Sequence, residues 1–244
     1  VVRPAAAQPA EPRGAAALAP LVRGLGTTAR VLMIGAHPDD EDNQLLAWLA
    51  RGRQVRTAYL SLTRGDGGQN LIGHELGEAL GVLRTEELLA ARRVDGAEQF
   101  FTRAYDFGFS KSALETYAHW PKETILGDVV RTVRAFRPHV LVSVFSGTPR
   151  DGHGHHQVAG LLAREAFDAA ADTVRFPEAA FGPAWTPAKL YQGVYRFNVA
   201  DPDSLATLRV NVGAYDALLG RSYAEVAAES RSQHRSQGFG TLQP

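Results

Sequence analysis

Residues 30–36 read Arg-Val-Leu-Met-Ile-Gly-Ala, and this short run decides the fold class. It is apolar, it contains β-branched residues, and it ends in two small residues directly before a polar cluster. That pattern is typical of a buried strand. The segment 42–51 carries leucines and a tryptophan at helical spacing and is followed by Gly52, a residue suited to a helix C-cap. We therefore predict a strand followed closely by a helix.

The same alternation continues along the chain. Further strands are predicted at 55–62, 98–102, 139–145 and 189–197, and further helices at 78–94, 122–136, 156–171 and 222–235. Strands that alternate with helices of ten or more residues indicate parallel βαβ units. We expect an α/β fold with a mostly parallel sheet and helices on both faces. Ligands of such folds bind beyond the carboxyl ends of the strands.

Composition excludes several classes of protein. The chain has 244 residues, with 26 Lys plus Arg against 26 Asp plus Glu, so it lacks the basic excess of a general nucleic-acid binder. It has no apolar run of the ~18 residues that a membrane-spanning helix needs. It contains no cysteine, which excludes a thiolate nucleophile and any cysteine-based metal site. A metal ion would therefore need His, Asp or Glu ligands.

The two ends of the chain differ in character. Residues 1–28 are rich in Ala, Pro and Gly and are predicted to form a flexible N-terminal arm or linker, whereas 29–244 are predicted to form a single domain. The stretch 4–8, Pro-Ala-Ala-Ala-Gln, resembles the small-residue tail of a secretory signal, with an Ala-rich linker as the alternative. Export to the periplasm or the medium is slightly favoured over a cytoplasmic location. The sequence carries no signal for an oligomeric state.

A first polar cluster, His-Pro-Asp-Asp-Glu-Asp, occupies 37–42 at the end of the first predicted strand. His37 and Asp40 are three residues apart, so in a turn that opens a helix they can face the same way. Acids at a helix N-terminus also act as caps, but capping accounts for only one or two of them. It does not account for the histidine or for the crowding of like charges, which a cation would offset. The cluster therefore predicts a metal site.

A second cluster, Asp-Gly-His-Gly-His-His at 151–156, follows the fourth predicted strand. Three of the eight histidines of the chain lie within these residues, beside glycines that let the backbone bend. His153 and His156 repeat the three-residue spacing of the first cluster. Together the clusters can supply three ligands with an open position, which is the pattern of a catalytic rather than a structural zinc site. Other divalent first-row metals suit the same nitrogen and oxygen ligands.

These motifs resemble those of a known family, the PIG-L/LmbE-like de-N-acetylases. Residues 36–41, Ala-His-Pro-Asp-Asp-Glu, match the hallmark of that family, and 153–156 stand where it has His-Pro-Asp-His. Weaker similarities occur in the same order as in the family, at 63–68, 84–88, 105–108, 137–140 and 233–237. The resemblance thus covers the chain from about residue 30 to residue 237.

The resemblance implies a Rossmann-like three-layer sandwich that carries one Zn²⁺ ion. The metal ligands of the family fall on His37, Asp40 and His156. Its general base falls on Asp39. The histidine that helps to hold the oxyanion, if protonated, falls on His153.

The resemblance also implies substrate contacts. Arg84 and Asp106 fall on positions that contact the sugar. Asp66 is predicted to bind substrate only because it lies in the Gly-rich loop 63–77. The chain departs from the family at His155, which replaces the usual Asp. The choice between His155 and His156 as the third metal ligand therefore stays open at this point.

The function that follows is a metal-dependent hydrolase. It would remove an N-acetyl group from an N-acetylglucosamine-type sugar by zinc-activated water, releasing acetate and an amine. One alternative keeps the metal and changes the substrate to a non-sugar N-acyl compound. Another is a catalytically inactive, carbohydrate-binding relative. The expected partner is a small molecule or glycan that bears an N-acetyl group, with no nucleic acid.

Overall fold

A computed structural model describes residues 14–194 and 201–239. Its centre is a five-stranded sheet in the order β3-β2-β1-β4-β5, and every neighbouring pair of strands is parallel. The strands are β1 (Arg30–Gly35), β2 (Arg56–Ser61), β3 (Glu98–Phe101), β4 (Val140–Ser143) and β5 (Lys189–Gln192). The predicted α/β class with a mostly parallel sheet is confirmed, and the arrangement is the expected Rossmann-like three-layer sandwich.

Helices connect the strands and flank the sheet. They are α1 (Ala15–Gly24), α2 (Asn43–Ala47), α3 (Glu78–Asp95), α4 (Ala113–His119), α5 (Lys122–Phe136), α6 (Gly154–Ala169), α7 (Glu178–Phe181), α8 (Pro202–Leu205) and α9 (Tyr223–Arg231). A small antiparallel pair, β6 (Tyr215–Asp216) and β7 (Arg221–Ser222), precedes α9. None of the helices among the described residues combines the length and apolarity needed to cross a bilayer.

The position of β1 in the sheet explains where the site lies. Leu32, Met33 and Ile34 are fully buried, which is expected of a central strand covered on both faces. The chain adds β2 and β3 on one side of β1 and then returns to add β4 on the other side. Strand order therefore reverses between β1 and β4, and the crevice outside their carboxyl ends is the usual ligand site of an open α/β sheet.

Several local predictions differ from the structure. Part of the predicted N-terminal arm is helical, since α1 lies within it and Arg23 forms an ion pair with Asp216. The division into an arm and one domain stays a prediction. The helix predicted at 42–51 is a short α2 followed by a π-helical turn, Trp48–Gly52. The last helix, predicted at 222–235, ends at Arg231, four residues earlier than predicted.

Two other differences concern elements near the site. Helix α4 is absent from the prediction because it is short and buries a threonine, Thr116, rather than an apolar stripe. Its N-cap is Ser112, whose side chain accepts the N–H of Glu115. The strand predicted at 189–197 ends at Gln192, and residues 195–197 lie outside the described residues.

Candidate metal centre

The turn after β1 is held by Asp40. Its Oδ2 accepts the backbone N–H groups of Ala36 at 2.9 Å and His37 at 2.7 Å. The same oxygen lies 3.4 Å from Nδ1 of His37, so the predicted pair does face one way. Only Asp42 acts as a helix cap, because its side chain accepts the N–H of Leu45 at the start of α2. Capping therefore accounts for one acid of the cluster and leaves the others for another role.

The second cluster enters from the start of α6. His156 lies in the first turn of this helix, and its Nε2 is 3.5 Å from Oδ1 of Asp40. The ring stacks on Phe145, with 4.0 Å between centroids and 8° between planes. On the far side, Nδ1 of His156 lies 3.3 Å from the carbonyl oxygen of Asp151, so the Nδ1–H donates there. The lone pair of Nε2 is thereby directed towards Asp40.

His37, Asp40 and His156 have the chemistry and spacing of a metal site. One ligand atom from each lies within 4.8 Å of the other two. Zinc ligands at about 2.0–2.1 Å in a tetrahedron are roughly 3.3–3.4 Å apart. The two imidazoles reach the carboxylate at about that distance, through different oxygens: His37 lies 3.4 Å from Oδ2 of Asp40, and His156 lies 3.5 Å from Oδ1. Burial alone would raise the pKa of Asp40, but His156 and His37 hold it well below its ordinary value. The carboxylate is therefore ionised and able to bind a cation.

His155 points elsewhere. It is fully buried, stacked on Trp120 with 4.4 Å between ring centroids and edge-on to Phe107 at 4.4 Å. Its Nδ1 lies 3.0 Å from Nε2 of His37, the nitrogen opposite the one that faces Asp40. Burial, with the charge of nearby histidines, lowers the pKa of His155 to about 2. A neutral His155 thus accepts a hydrogen bond from His37, a contact of the kind that orients a metal-binding imidazole.

Asp39 has a strained backbone that three neighbours hold. Its φ is +102°, in a region that side-chain-bearing residues rarely adopt. Its N–H donates to Glu41 at 2.9 Å, and Arg231 donates to its carbonyl oxygen at 3.0 Å. Arg84 donates to its Oδ1 at 3.1 Å. Such strain persists where the surroundings over-determine it, and it concentrates at functional sites.

The electrostatic environment of Asp39 differs from that of its neighbour. Burial raises the pKa of Asp39, although the positive charge of Arg84 opposes the rise. Two adjacent carboxyl groups therefore have pKa values pushed in opposite directions, since that of Asp40 is lowered. Such a pair is a frequent sign of distinct chemical roles.

His153 is the N-cap of α6, and this contact sets its tautomer. Its Nδ1 accepts the backbone N–H of His155 at 3.1 Å. Burial, together with the charges of His37 and His156, lowers the pKa of His153 to about 4. At neutral pH the ring is therefore uncharged, so the protonated form considered from the sequence is not the one present. Because Nδ1 is an acceptor, the remaining proton lies on Nε2.

The three predicted substrate-binding residues form one assembly beside the cluster. Asp66 accepts the backbone N–H of Asp106 at 3.0 Å, and Oδ2 of Asp106 lies 3.9 Å from Nε2 of His37. Arg84 is almost completely buried and donates to the carbonyl oxygens of Gly65 and Pro38 as well as to Asp39. Their guanidinium and carboxylate groups are thus already engaged with the loops that shape the site.

Other residues support the site but carry little signal in the sequence. The aromatic rings that fix the histidines come from three separate segments, as Phe145, Trp120 and Phe107. Glu41 is buried and lies 2.8 Å from Nε2 of His234 and 3.1 Å from Arg92. His234 belongs to the weak motif at 233–237, which was the only signal that this end of the chain approaches the first cluster.

Known proteins resemble the chain in sequence. Residues 32–167, more than half of the chain, match the family described as PIG-L, GlcNAc-PI de-N-acetylase. A 1D-myo-inositol 2-acetamido-2-deoxy-alpha-D-glucopyranoside deacetylase of Streptomyces avermitilis is 32% identical over 220 residues, covering 82% of this chain and 70% of that protein. A mycothiol S-conjugate amidase of Streptomyces coelicolor is 27% identical over 175 residues, covering 66% of this chain and 59% of that protein. The chain thus spans less than two thirds of the length of this amidase and of several other curated relatives that it matches.

Solved structures show the same fold. A conserved protein of Thermus thermophilus superposes with a TM-score of 0.57 at 22% identity, covering 87% of this chain and 80% of that one. The N,N'-diacetylchitobiose deacetylase of Pyrococcus horikoshii superposes with a TM-score of 0.60 at 17% identity, covering 88% and 73%. At these identities the likeness establishes the fold alone. From the sequence match over residues 32–167 and the relative at 32% identity, the chain is a member of the PIG-L family of GlcNAc-PI de-N-acetylases.

Proposed function

We propose that the protein is a metal-dependent hydrolase that removes the N-acetyl group from an N-acetylglucosamine-type sugar, releasing acetate and a free amine. The observation that carries this proposal is the convergence of His37, Asp40 and His156 beside a second carboxylate, Asp39, with a raised pKa. The family and the named activity of the Streptomyces avermitilis relative support it. Zn²⁺ is the proposed ion, and other divalent first-row metals suit the same ligands.

His37, Asp40 and His156 would hold the ion, and the remaining coordination position would face the substrate. Bound there, a divalent ion supplies Lewis acidity, which polarises an acetamide carbonyl and makes a water molecule more acidic. The protein fixes the two imidazoles through contacts on their far sides. His37 donates to His155 and His156 donates to the carbonyl of Asp151. This leaves one nitrogen of each ring available as a ligand.

Asp39 is the proposed general base. Its raised pKa brings it closer to the working pH, where a base both accepts and releases a proton efficiently. Asp39 takes the proton of the attacking water and then passes it to the departing amine. Asp40 cannot share this role, because its Oδ2 is engaged by two backbone N–H groups and its charge is held by His37 and His156.

His153 is the proposed donor to the oxyanion of the tetrahedral intermediate. It acts as a neutral imidazole, because its pKa is lowered to about 4 and its single proton lies on Nε2. A neutral donor adds no further positive charge beside the proposed ion. Loss of one such donor typically lowers the rate on the order of 100- to 1000-fold.

Asp66 is the proposed direct contact to the sugar, since it is only half-buried. Arg84 and Asp106 are almost completely buried. We therefore assign their effect on the substrate to the placement of Asp39 and His37, which they contact. This division predicts that Asp66 variants change KM first, whereas Arg84 and Asp106 variants change kcat.

The test is acetate release from a panel of N-acetylated sugars: free N-acetylglucosamine, diacetylchitobiose and an inositol-linked N-acetylglucosamine. Each is measured with zinc, with a chelator, and with the Asp39→Asn variant, because asparagine also tolerates a positive φ. Release that the chelator abolishes and that collapses in the variant supports the proposal. No release from any sugar by zinc-loaded protein contradicts it.

A second candidate keeps the metal and changes the amide. The relative from Streptomyces coelicolor is named an amidase of mycothiol S-conjugates, which favours cleavage of an amide other than an acetamide. A mycothiol S-conjugate in the same panel separates the two candidates. Cleavage of that compound without acetate release from the sugars selects the amidase.

A further inference from the structure

His37 faces polar partners on both of its ring nitrogens. Nδ1 faces Asp40, whereas Nε2 lies 3.0 Å from Nδ1 of His155. Ligand atoms of His37, His153 and His155 all lie within 4.8 Å of one another, so they form a second group of three histidines that shares His37 with the first site. Asp106 adds a carboxylate, with Oδ2 3.9 Å from His37 Nε2 and Oδ1 3.7 Å from His155 Nδ1.

These separations fit a metal ion. Tetrahedral zinc ligands are roughly 3.3–3.4 Å apart, and the three distances among His37, His155 and Asp106 are 3.0, 3.7 and 3.9 Å. His153 lies beside these three residues: its ring centroid is 4.4 Å from that of His155 and 5.2 Å from that of His37. We propose that His37, His153, His155 and Asp106 form a second, inhibitory zinc site.

The surroundings favour binding of a second ion. Trp120 and Phe107 pack against the ring of His155, so its Nδ1 is already directed towards His37. A ring with little freedom to lose binds at a lower entropic cost. Zinc replaces the proton between the two nitrogens: the Nε2–H of His37 leaves to solvent, and the imidazolate of His37 bridges both ions. His153 keeps its proton on Nε2 and turns its Nδ1 from the N–H of His155 to the ion, so it gives up its capping contact and releases no proton. The imidazolate of His37 and the carboxylates of Asp39, Asp40 and Asp106 together supply four negative charges for two Zn²⁺ ions.

The second ion would inhibit rather than catalyse. Four protein ligands close its coordination shell, which is the arrangement of non-catalytic zinc sites. Binding also engages His153 and so removes the proposed oxyanion donor. The inference therefore rests on the proposed function for its effect on rate, whereas the binding of a second ion does not depend on it.

The experiment starts from protein loaded with one zinc per chain and adds zinc in increasing excess. Bound zinc is counted after equilibrium dialysis, and acetate release is measured on the same samples. We expect the wild type to take up a second zinc with one extra proton released, and to lose activity on the order of 100-fold. His155→Asn should bind only one zinc and resist this inhibition, because the amide can still accept from His37 but is a poor zinc ligand. His74→Asn, which changes an exposed histidine, should behave like the wild type.

The outcomes separate the second site from the proposed activity. A wild type that never exceeds one zinc per chain overturns the second site, as does an undiminished second zinc in His155→Asn. If the variant does not fold, cobalt-loaded wild type decides: an imidazolate bridge couples the two ions and reduces the low-temperature EPR signal. Two uncoupled cobalt signals overturn the bridge. If the protein with one zinc releases no acetate while excess zinc still adds a second ion, the proposed activity is contradicted and the second site stays supported.

Discussion

Replacing Arg231 by methionine should slow catalysis while leaving the first metal in place. Arg231 lies at the end of α9, 192 residues from Asp39 in the sequence, and donates to the carbonyl oxygen of Asp39 at 3.0 Å. It also lies over the ring of Phe239 at 4.4 Å, a contact that the methionine side chain can keep. The substitution therefore removes one hydrogen bond to the strained residue and little else.

The expected size of the effect follows from two comparable energies. A hydrogen bond to a charged group contributes about 1.5–3 kcal/mol, and a residue held in a sparsely populated backbone region stores about 1–3 kcal/mol. Without Arg231, the φ of +102° at Asp39 is held by Glu41 and Arg84 alone. If the whole bond serves to hold Asp39, kcat falls by about 10- to 100-fold.

The assay measures kcat, KM and bound zinc for Arg231→Met, Arg231→Lys and Arg221→Met. Arg221 pairs with Glu229 of α9, so its variant loses an ion pair on the same helix without touching Asp39. We expect a lower kcat with unchanged KM and zinc content in Arg231→Met, partial recovery with lysine, and wild-type kinetics in Arg221→Met. A wild-type kcat in Arg231→Met, or an equal loss in Arg221→Met, would show that Arg231 does not hold Asp39 for catalysis.

Three further predictions concern stability. In metal-free protein the pKa of His155 is lowered to about 2, against about 6.5 unfolded. The unfolded chain therefore takes up the proton first, and stability is lost as the pH falls below about 6.5. From pH 7 to pH 5 the loss from His155 is about 2 kcal/mol. Because the lowered pKa of His153 adds a loss of its own, urea unfolding at both pH values should show a loss larger by about 2 kcal/mol in the wild type than in His155→Asn, and equal losses would contradict this. Gly160→Ala drives a methyl group into the backbone nitrogen of Gly147, well inside van der Waals contact, so it should destabilise the fold by about 1–3 kcal/mol. It should also weaken zinc binding, because His156 lies one turn earlier on α6. An unchanged melting temperature and zinc affinity would show that the loop containing Gly147 moves aside at no cost. Buried Arg134 donates to four backbone carbonyl groups; Arg134→Met should lower stability by about 3 kcal/mol or more while kcat per folded molecule stays constant, and a drop in kcat would contradict its purely structural role.

The parts of the site that are local in sequence could be predicted. A buried strand followed by a turn brings His37 and Asp40 to the same side independently of the rest of the fold. In the structure Nδ1 of His37 lies 3.4 Å from Oδ2 of Asp40. The alternation of strands and helices then predicts a parallel sheet, in which the loops after β1 and β4 lie at the same edge; that β4 is the neighbour of β1 comes from the structure. That places His156 beside Asp40, as the structure has it.

The parts that depend on long-range packing could not be predicted. Nothing in the pattern of α9 indicates that Arg231 reaches Asp39, or that Asp39 has a positive φ. The orientation of His155 is equally hidden, because it depends on Trp120 and Phe107, which lie on either side of the unpredicted helix α4 in the sequence. The sequence also leaves the charge of His153 open, because burial and the neighbouring histidines, not its place in the motif, lower its pKa.

Asp39 is the proposed base beside a metal held by its neighbours. The most direct measurement is acetate release by wild-type and Asp39→Asn protein, each reconstituted with one zinc per chain and assayed on the best sugar of the panel. We predict that the variant keeps its zinc and loses on the order of 100- to 10,000-fold in kcat, the usual contribution of general acid–base catalysis. A zinc-loaded Asp39→Asn that releases acetate at the wild-type rate would contradict the role of Asp39 as the base.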